Sequence, residues 1–469
     1  MRNLYLAALL VIALFIWTRT YQITESLHFF NDIGRDFLVL WQWRETGKPP
    51  LLGPQTSALP FNQSAIYFYL LFPFYLITGG SVYASLIAYL VIYVLAFALG
   101  LYLLRPYPRL EKSLLLVFLL MTVHPEYIIQ GRFIWNPSFV SVSLAVAFYS
   151  LVVYFEQKST RYLLLYVSAF AVSLATAFSY SAAPALLAFI LYALYRRRQS
   201  IWRYLNAVMI SLGIVNLPTL VFELRHQFFL TKSLLFGEAA VQAGNVFATR
   251  FTRLLSLSLS IHWGYVLAIL ALLAYFVYRS YQRENNRFLL AAGLLFLTTF
   301  ILTIFAPVSI HSHYIFPFLT FLFIMISFLQ ARYIYVVAVV FYLIFLPAAL
   351  RLQIFGPARH TIKELQECAA AFCATQTEPL FVSNQSSHHP YHNAMEWQYL
   401  LSQAGCQLRD VATAPESATT MAVVLDDDVY EHGKTSFYEL SQFGQSQESS
   451  RFHCKENLEI VVLDKTGKP

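Results

Sequence analysis

Long apolar runs separated by short polar links fill roughly the first three quarters of the chain. A transmembrane helix needs about 20 mostly apolar residues. Runs near 3–19, 82–104, 113–130, 137–155, 162–179, 181–195, 205–222, 262–279, 288–306, 314–330 and 333–350 approach that length. The pattern predicts about eleven spans. The run at 64–79 does not fit. It is short, holds Pro73, and as a span would invert every later loop. It is expected to be an interfacial or half-inserted helix on the outer face, where its Tyr and Phe residues suit the headgroup region.

After Leu350 the pattern changes. Glu378-Pro-Leu-Phe-Val-Ser, Met421-Ala-Val-Val-Leu and Leu458-Glu-Ile-Val-Val-Leu read as strands. Ala394-Met-Glu-Trp-Gln-Tyr-Leu-Leu-Ser-Gln reads as an amphipathic helix ended by Gly405. The expected architecture is an all-α polytopic membrane bundle over 1–350, with an outer-face loop at 20–81 holding juxtamembrane helices. A small α/β domain over 351–469 follows.

Composition agrees with this division. The chain is 58% hydrophobic and 12% charged, whereas a soluble domain is about half apolar and a quarter charged. The net charge of +7 does not point to nucleic acid, because the Lys and Arg residues sit in short links between apolar runs. There they orient helices. Arg105, Arg109, Lys112, Lys158, Arg161, Arg196, Arg197, Arg198, Arg203, Arg279, Arg283 and Arg287 all fall inside when the N-terminus is cytoplasmic. The first run has no small-residue cleavage site behind it, so it reads as a retained anchor. The C-terminal domain is then periplasmic or extracellular, and the membrane is the cell's inner (plasma) membrane.

All four cysteines, Cys368, Cys373, Cys406 and Cys454, lie in the C-terminal domain. An even number in an outside domain points to disulfides. Three pairings are possible, and four unpaired core cysteines are the plainer alternative.

The polar residues open to chemistry gather in the predicted outer loops. The first loop carries Asp32, Arg35 and Asp36, then Lys48-Pro49-Pro50-Leu51. The second carries Arg132, Trp135 and Asn136, a third opens with Glu223, Arg225 and His226, and the last carries His311, His313 and Tyr314. Each has a plainer use. The Asp and Arg residues can form a solvated ion pair, Arg132 and Trp135 an interfacial anchor, Glu223 to His226 a helix cap, and the histidines a headgroup contact. Together they offer more. A carboxylate can act as general base on an acceptor hydroxyl or amine. Arg and His can stabilise a phosphate leaving group. No zinc, Walker or dinucleotide motif is present, so no cofactor or metal is required.

These residues resemble the membrane glycosyltransferases of the GT-C superfamily. The resemblance is closer to the bacterial protein mannosyltransferase and aminoarabinose transferase group. In that group an acidic motif of the form Asp-Glu-x-Arg-Tyr follows the first helix and leads to a Lys-Pro-Pro-Leu run. Asp32-Ile33-Gly34-Arg35-Asp36 and Lys48-Pro49-Pro50-Leu51 occupy those places. Ile33 stands where Glu is usual and Asp36 where Tyr is usual. The resemblance covers roughly 1–350. It implies transfer of a sugar from a polyprenyl-phosphate donor to a protein, glycolipid or polysaccharide acceptor on the outer face. Asp32 would be the base, with Asp36 able to share that role. Arg35, Lys48, Arg132, His311 and His313 would bind donor phosphate. Trp135, Asn136, Glu223, Arg225, His226 and Tyr314 would line the sugar or acceptor pocket. The alternatives are a lipid or solute transporter or flippase, which wants ionisable residues mid-helix, and a non-catalytic envelope scaffold.

Overall fold

The computed structural model describes residues 2–55, 62–156, 161–196, 198–236, 286–305, 311–329, 355–385, 394–411, 416–426, 438–455 and 457–466, with shorter pieces between 249 and 282, between 333 and 340, and at 414. They fall into two units. One comprises Met1–Tyr21 and Pro49–Gln353, the other Gln22–Lys48 and Ile354–Pro469.

The first unit is a bundle of apolar helices. Four described helices are long and apolar enough to cross a bilayer: Asn3–Thr20, Ala84–Leu104, Asn136–Glu156 and Arg287–Phe305. Ile201–Val215 and Leu217–Arg225, bent by 66°, make a fifth if taken as one broken span. Leu163–Phe178, Tyr180–Arg196 and Ser312–Ser327 are shorter apolar helices at other predicted spans. The predicted spans at 262–279 and 333–350 fall largely outside the described residues. Leucines such as Leu9, Leu95, Leu99 and Leu297 stand exposed on the long helices, as side chains facing lipid would. The chain is an integral membrane protein of polytopic helical form.

Hydroxyl groups link the helices inside the bundle, where an apolar solvent gives them no alternative partner. Ser113 bonds Tyr149 at 2.8 Å and Ser327 at 2.5 Å. Tyr127 bonds Ser141 at 2.8 Å and Thr320 at 3.1 Å. The predicted span at 113–130 is broken: Pro108–Val123 stops at His124, and Pro125 opens the short helix Pro125–Gln130. Proline lacks the N–H a continuing ladder needs, but is tolerated in a first turn. The short run at 64–79 contains the helix Ile66–Ile77, with Pro73 inside it. Twelve residues rise about 18 Å, too little for a hydrocarbon core of about 30 Å.

The second unit holds a four-stranded sheet of order β1-β2-β4-β3: Leu380–Gln385, Thr420–Asp426, Leu458–Lys465 and Ser446–Lys455. β1 and β2 are parallel, and the other pairings antiparallel. A parallel pair needs a crossover, and the helix Met395–Gln403 lies in the β1–β2 connection. β1, β2 and β4 carry apolar runs and were legible. β3 (Ser-Gln-Glu-Ser-Ser-Arg-Phe-His-Cys-Lys) was not, because it is a polar, mostly exposed edge strand. The helix Ile362–Cys373 was also missed. Its signal was the capping box of Thr361 with Glu364, whose groups bond each other's backbone N–H at 3.3 and 2.9 Å.

Two disulfides form, Cys368–Cys454 and Cys373–Cys406, with Cα separations of 5.1 and 5.2 Å. They select one of the three pairings.

One grouping differs from the sequence expectation. The segment Gln22–Lys48, assigned to the outer loop of the membrane domain, clusters with the C-terminal residues. The cause is the apolar face of the helix Asn31–Thr46, the motif helix. Ile33, Phe37, Leu38 and Leu40 are all buried. Phe37 and Phe29 pack on the Tyr399 ring with centroids 5.5 and 5.8 Å away.

Candidate active site

The motif helix begins after Phe30, whose backbone is extended, and ends at Gly47, which takes φ 65° as the left-handed C-cap. Asp32 lies in the first turn, where the helix dipole favours a negative charge. Arg35, one turn on, joins both carboxylates. Its Nη1 donates to Asp32 Oδ1 at 2.7 Å. Its Nε and Nη2 donate to Asp36 Oδ1 at 3.0 and 2.8 Å. The two acids differ in access: the Asp32 side chain is 35% exposed and that of Asp36 only 1%. A substrate hydroxyl can reach the first and is shut out from the second. Lys48, just past the helix, is exposed.

Within the membrane unit, four predicted residues come together. The rings of Trp135 and His313 meet edge-on at 4.9 Å, His313 and Tyr314 at 4.5 Å, and His311 stacks beside His313 at 5.9 Å. Trp135 Nε1 donates to Gln130 Oε1 at 2.5 Å, which fixes the indole. The His313 ring is mostly covered and stands among these aromatic groups. Such a cluster can stack on a sugar face or donate one hydrogen bond to an anion.

The other predicted residues make structural contacts or stand exposed. Arg132 is buried, and its Nη1 reaches the carbonyls of Tyr21 at 3.0 Å and of Thr18 and Arg19 at 3.4 Å. It thereby caps the C-terminal end of the helix Arg2–Thr20, whose last carbonyls have no partners within the helix. Asn136 is buried too, its Nδ2 donating to Gln63 Oε1 at 2.5 Å and Phe178 O at 2.6 Å. Glu223 accepts from Leu230 N at 2.8 Å and Thr231 N at 2.9 Å. It caps the start of the helix Phe229–Phe236. His226 Nδ1 donates to Phe222 O at 2.9 Å, and Arg225 is exposed.

The chain was compared with known proteins. No protein-family model and no curated protein matches it. Among solved structures, it superposes on ArnT from Cupriavidus metallidurans bound to undecaprenyl phosphate with a TM-score of 0.63. That match covers 98% of this chain and 97% of the other at 13% identity. The apo ArnT structure gives 0.62 over the same shares, again at 13% identity. This is the fold of ArnT. The helical membrane bundle with a C-terminal domain that the motif resemblance implied is shared with these structures across nearly the whole chain. At this identity the ArnT likeness is one of fold, and the roles of individual residues rest on their own geometry.

Beyond that fold, three residues escaped the sequence reading. Arg19 stands in the last turn of the first helix. It is fully buried, donating to the carbonyls of Thr122 at 2.7 Å, Met121 at 3.0 Å and Tyr127 at 3.1 Å. An arginine at a helix end ordinarily snorkels to water, so nothing in the sequence marked it. Glu396, at the start of a short amphipathic helix, is 4% exposed. Gly34 offered a signal: a glycine inside a helix costs about 1 kcal/mol, and that cost points to a close packing contact.

Proposed function

We propose that this protein transfers a sugar from a polyprenyl-phosphate donor to an acceptor, at the outer face of the bacterial inner membrane, with Asp32 as general base. The observation that carries this reading is the half-exposed Asp32 held by Arg35, in a chain with the fold of ArnT. A fold hosts many chemistries, and the site must supply the rest. The Asp-Arg-Asp group supplies an accessible carboxylate whose direction is set by a guanidinium, itself fixed by a buried second carboxylate.

In the reaction, the acceptor O–H or N–H attacks the anomeric carbon of the donor. The bond from that carbon to the phosphate oxygen breaks, the lipid phosphate leaves with the electron pair, and the acceptor proton passes to Asp32. Lys48, exposed just past the motif helix, would meet anionic substrate groups. Trp135 and Tyr314 present ring faces suited to a sugar or prenyl group, and the His313 and His311 rings offer hydrogen bonds. Asp36 serves as the anchor of Arg35 instead of sharing the base role. Arg132, Asn136 and Glu223 are left to the scaffold.

The test is release of polyprenyl phosphate. Purified wild-type protein and Asp32→Asn are incubated with a panel of polyprenyl-phosphate sugars and candidate acceptors. Release by the wild type alone supports the reading, and the active donor names the sugar. Equal release by a folded Asp32→Asn protein removes the base assignment.

A further inference from the structure

The motif helix approaches the helix Met395–Gln403 at backbone distance. A Cβ built on Gly34 would lie 2.3 Å from Glu396 Cα, 2.4 Å from its N and 2.6 Å from its Cβ. Gly34 stands between Asp32 and Arg35, so the contact lies within one helical turn of every charged group of the motif. The Glu396 carboxylate is buried and accepts from Asn384 Nδ2 on β1 at 3.2 Å. Three residues on, Tyr399 is fully buried and takes the rings of Phe37 and Phe29 on its flank. The helix bearing both, Met395–Gln403, runs into Gly405 and Cys406, and Cys406 is bridged to Cys373 at the end of the helix Ile362–Cys373. A continuous mechanical path therefore leads from the disulfide, through Met395–Gln403, to the motif.

From this path we infer that Met395–Gln403 is the positioning element of the proposed reaction, with Glu396 and Tyr399 as positioning residues that set where Asp32 stands. The Cys373–Cys406 bridge holds that element in register, so transfer requires the oxidised C-terminal unit. This rests on the sugar-transfer reading above and assigns the C-terminal unit a part in catalysis. The physical ground is tolerance. A general base must be held within a fraction of an ångström of its productive place, and a displacement of about 1 Å costs roughly 10²-fold in rate. Any side chain at Gly34 meets backbone, which cannot swing aside, so the motif helix itself must shift.

The experiment uses the full-length protein in lipid nanodiscs, with kcat and donor KM measured for Gly34→Ala, Tyr399→Ala, Tyr399→Phe and the double variant Cys373→Ser/Cys406→Ser. The expected result is a fall in kcat of roughly 10²-fold for Gly34→Ala and Tyr399→Ala, with donor KM held within about twofold. Tyr399→Phe keeps the ring contacts and restores turnover, and the cysteine double variant loses kcat with KM retained. If Gly34→Ala does not fold, the Tyr399 pair and the cysteine variant carry the same split. Wild-type turnover that needs Asp32 but is unaltered in folded Gly34→Ala and Tyr399→Ala overturns the positioning role and leaves the function standing. Turnover that does not need Asp32 overturns the base assignment and the positioning role with it, and no turnover by the wild type with any donor and acceptor overturns the sugar-transfer reading.

Discussion

Arg35 grips Asp36 with two nitrogens on one oxygen, Nε at 3.0 Å and Nη2 at 2.8 Å from Oδ1. Its third contact goes to Asp32, so the guanidinium divides between a closed partner and an open one. The division assigns different work to two acids four residues apart, and it separates their mutational effects.

Asp36→Asn breaks a pair whose carboxylate is buried and leaves the guanidinium badly placed. It should lower the stability of the C-terminal unit by about 2–3 kcal/mol, and turnover with it. Asp32→Asn removes a half-exposed partner worth about 1 kcal/mol or less, so its melting temperature stays near wild type while turnover is lost. Parallel thermal melts and donor-turnover assays distinguish the two. Equal stability loss in both would refute the division of roles.

Arg132→Ala should behave as a scaffold lesion. It strips the carbonyls at the end of the first helix of their donor, and each buried carbonyl left bare costs about 1–3 kcal/mol. The folded yield from detergent extraction drops, whereas the donor KM of the surviving protein stays the same. A raised donor KM with unchanged yield would return Arg132 to the phosphate site. Gly131→Ala should show a milder version of the same loss, because its Cβ would meet Arg19 Nε at 2.8 Å.

Glu223→Ala should loosen the start of Phe229–Phe236 by about 1 kcal/mol, the usual worth of a helix cap. Hydrogen exchange in that helix rises, and turnover is kept. A loss of turnover without faster exchange would instead place Glu223 among substrate-binding groups.

The membrane character, the separate C-terminal α/β layer, three of its strands and the acidic motif were all legible in the sequence. Each follows from local regularities: the length of apolar runs, alternation in short segments, and charge gathered between spans. Tertiary structure decided what local pattern cannot hold. It chose the pairing of four cysteines, because bridging requires Cα atoms about 5–6 Å apart and residues 86 and 33 positions apart in sequence meet at that distance. It drew β3 into the sheet from a polar stretch, since an edge strand is held by backbone bonds to β4 rather than by apolar side chains. It buried Arg19 and Arg132 against helix-end carbonyls contributed by distant residues. It also separated Asp32 from Asp36, two acids that look alike in sequence, because access depends on which face of a helix meets a neighbour. Glu396, more than three hundred residues along the chain, is brought to Gly34 only by the fold.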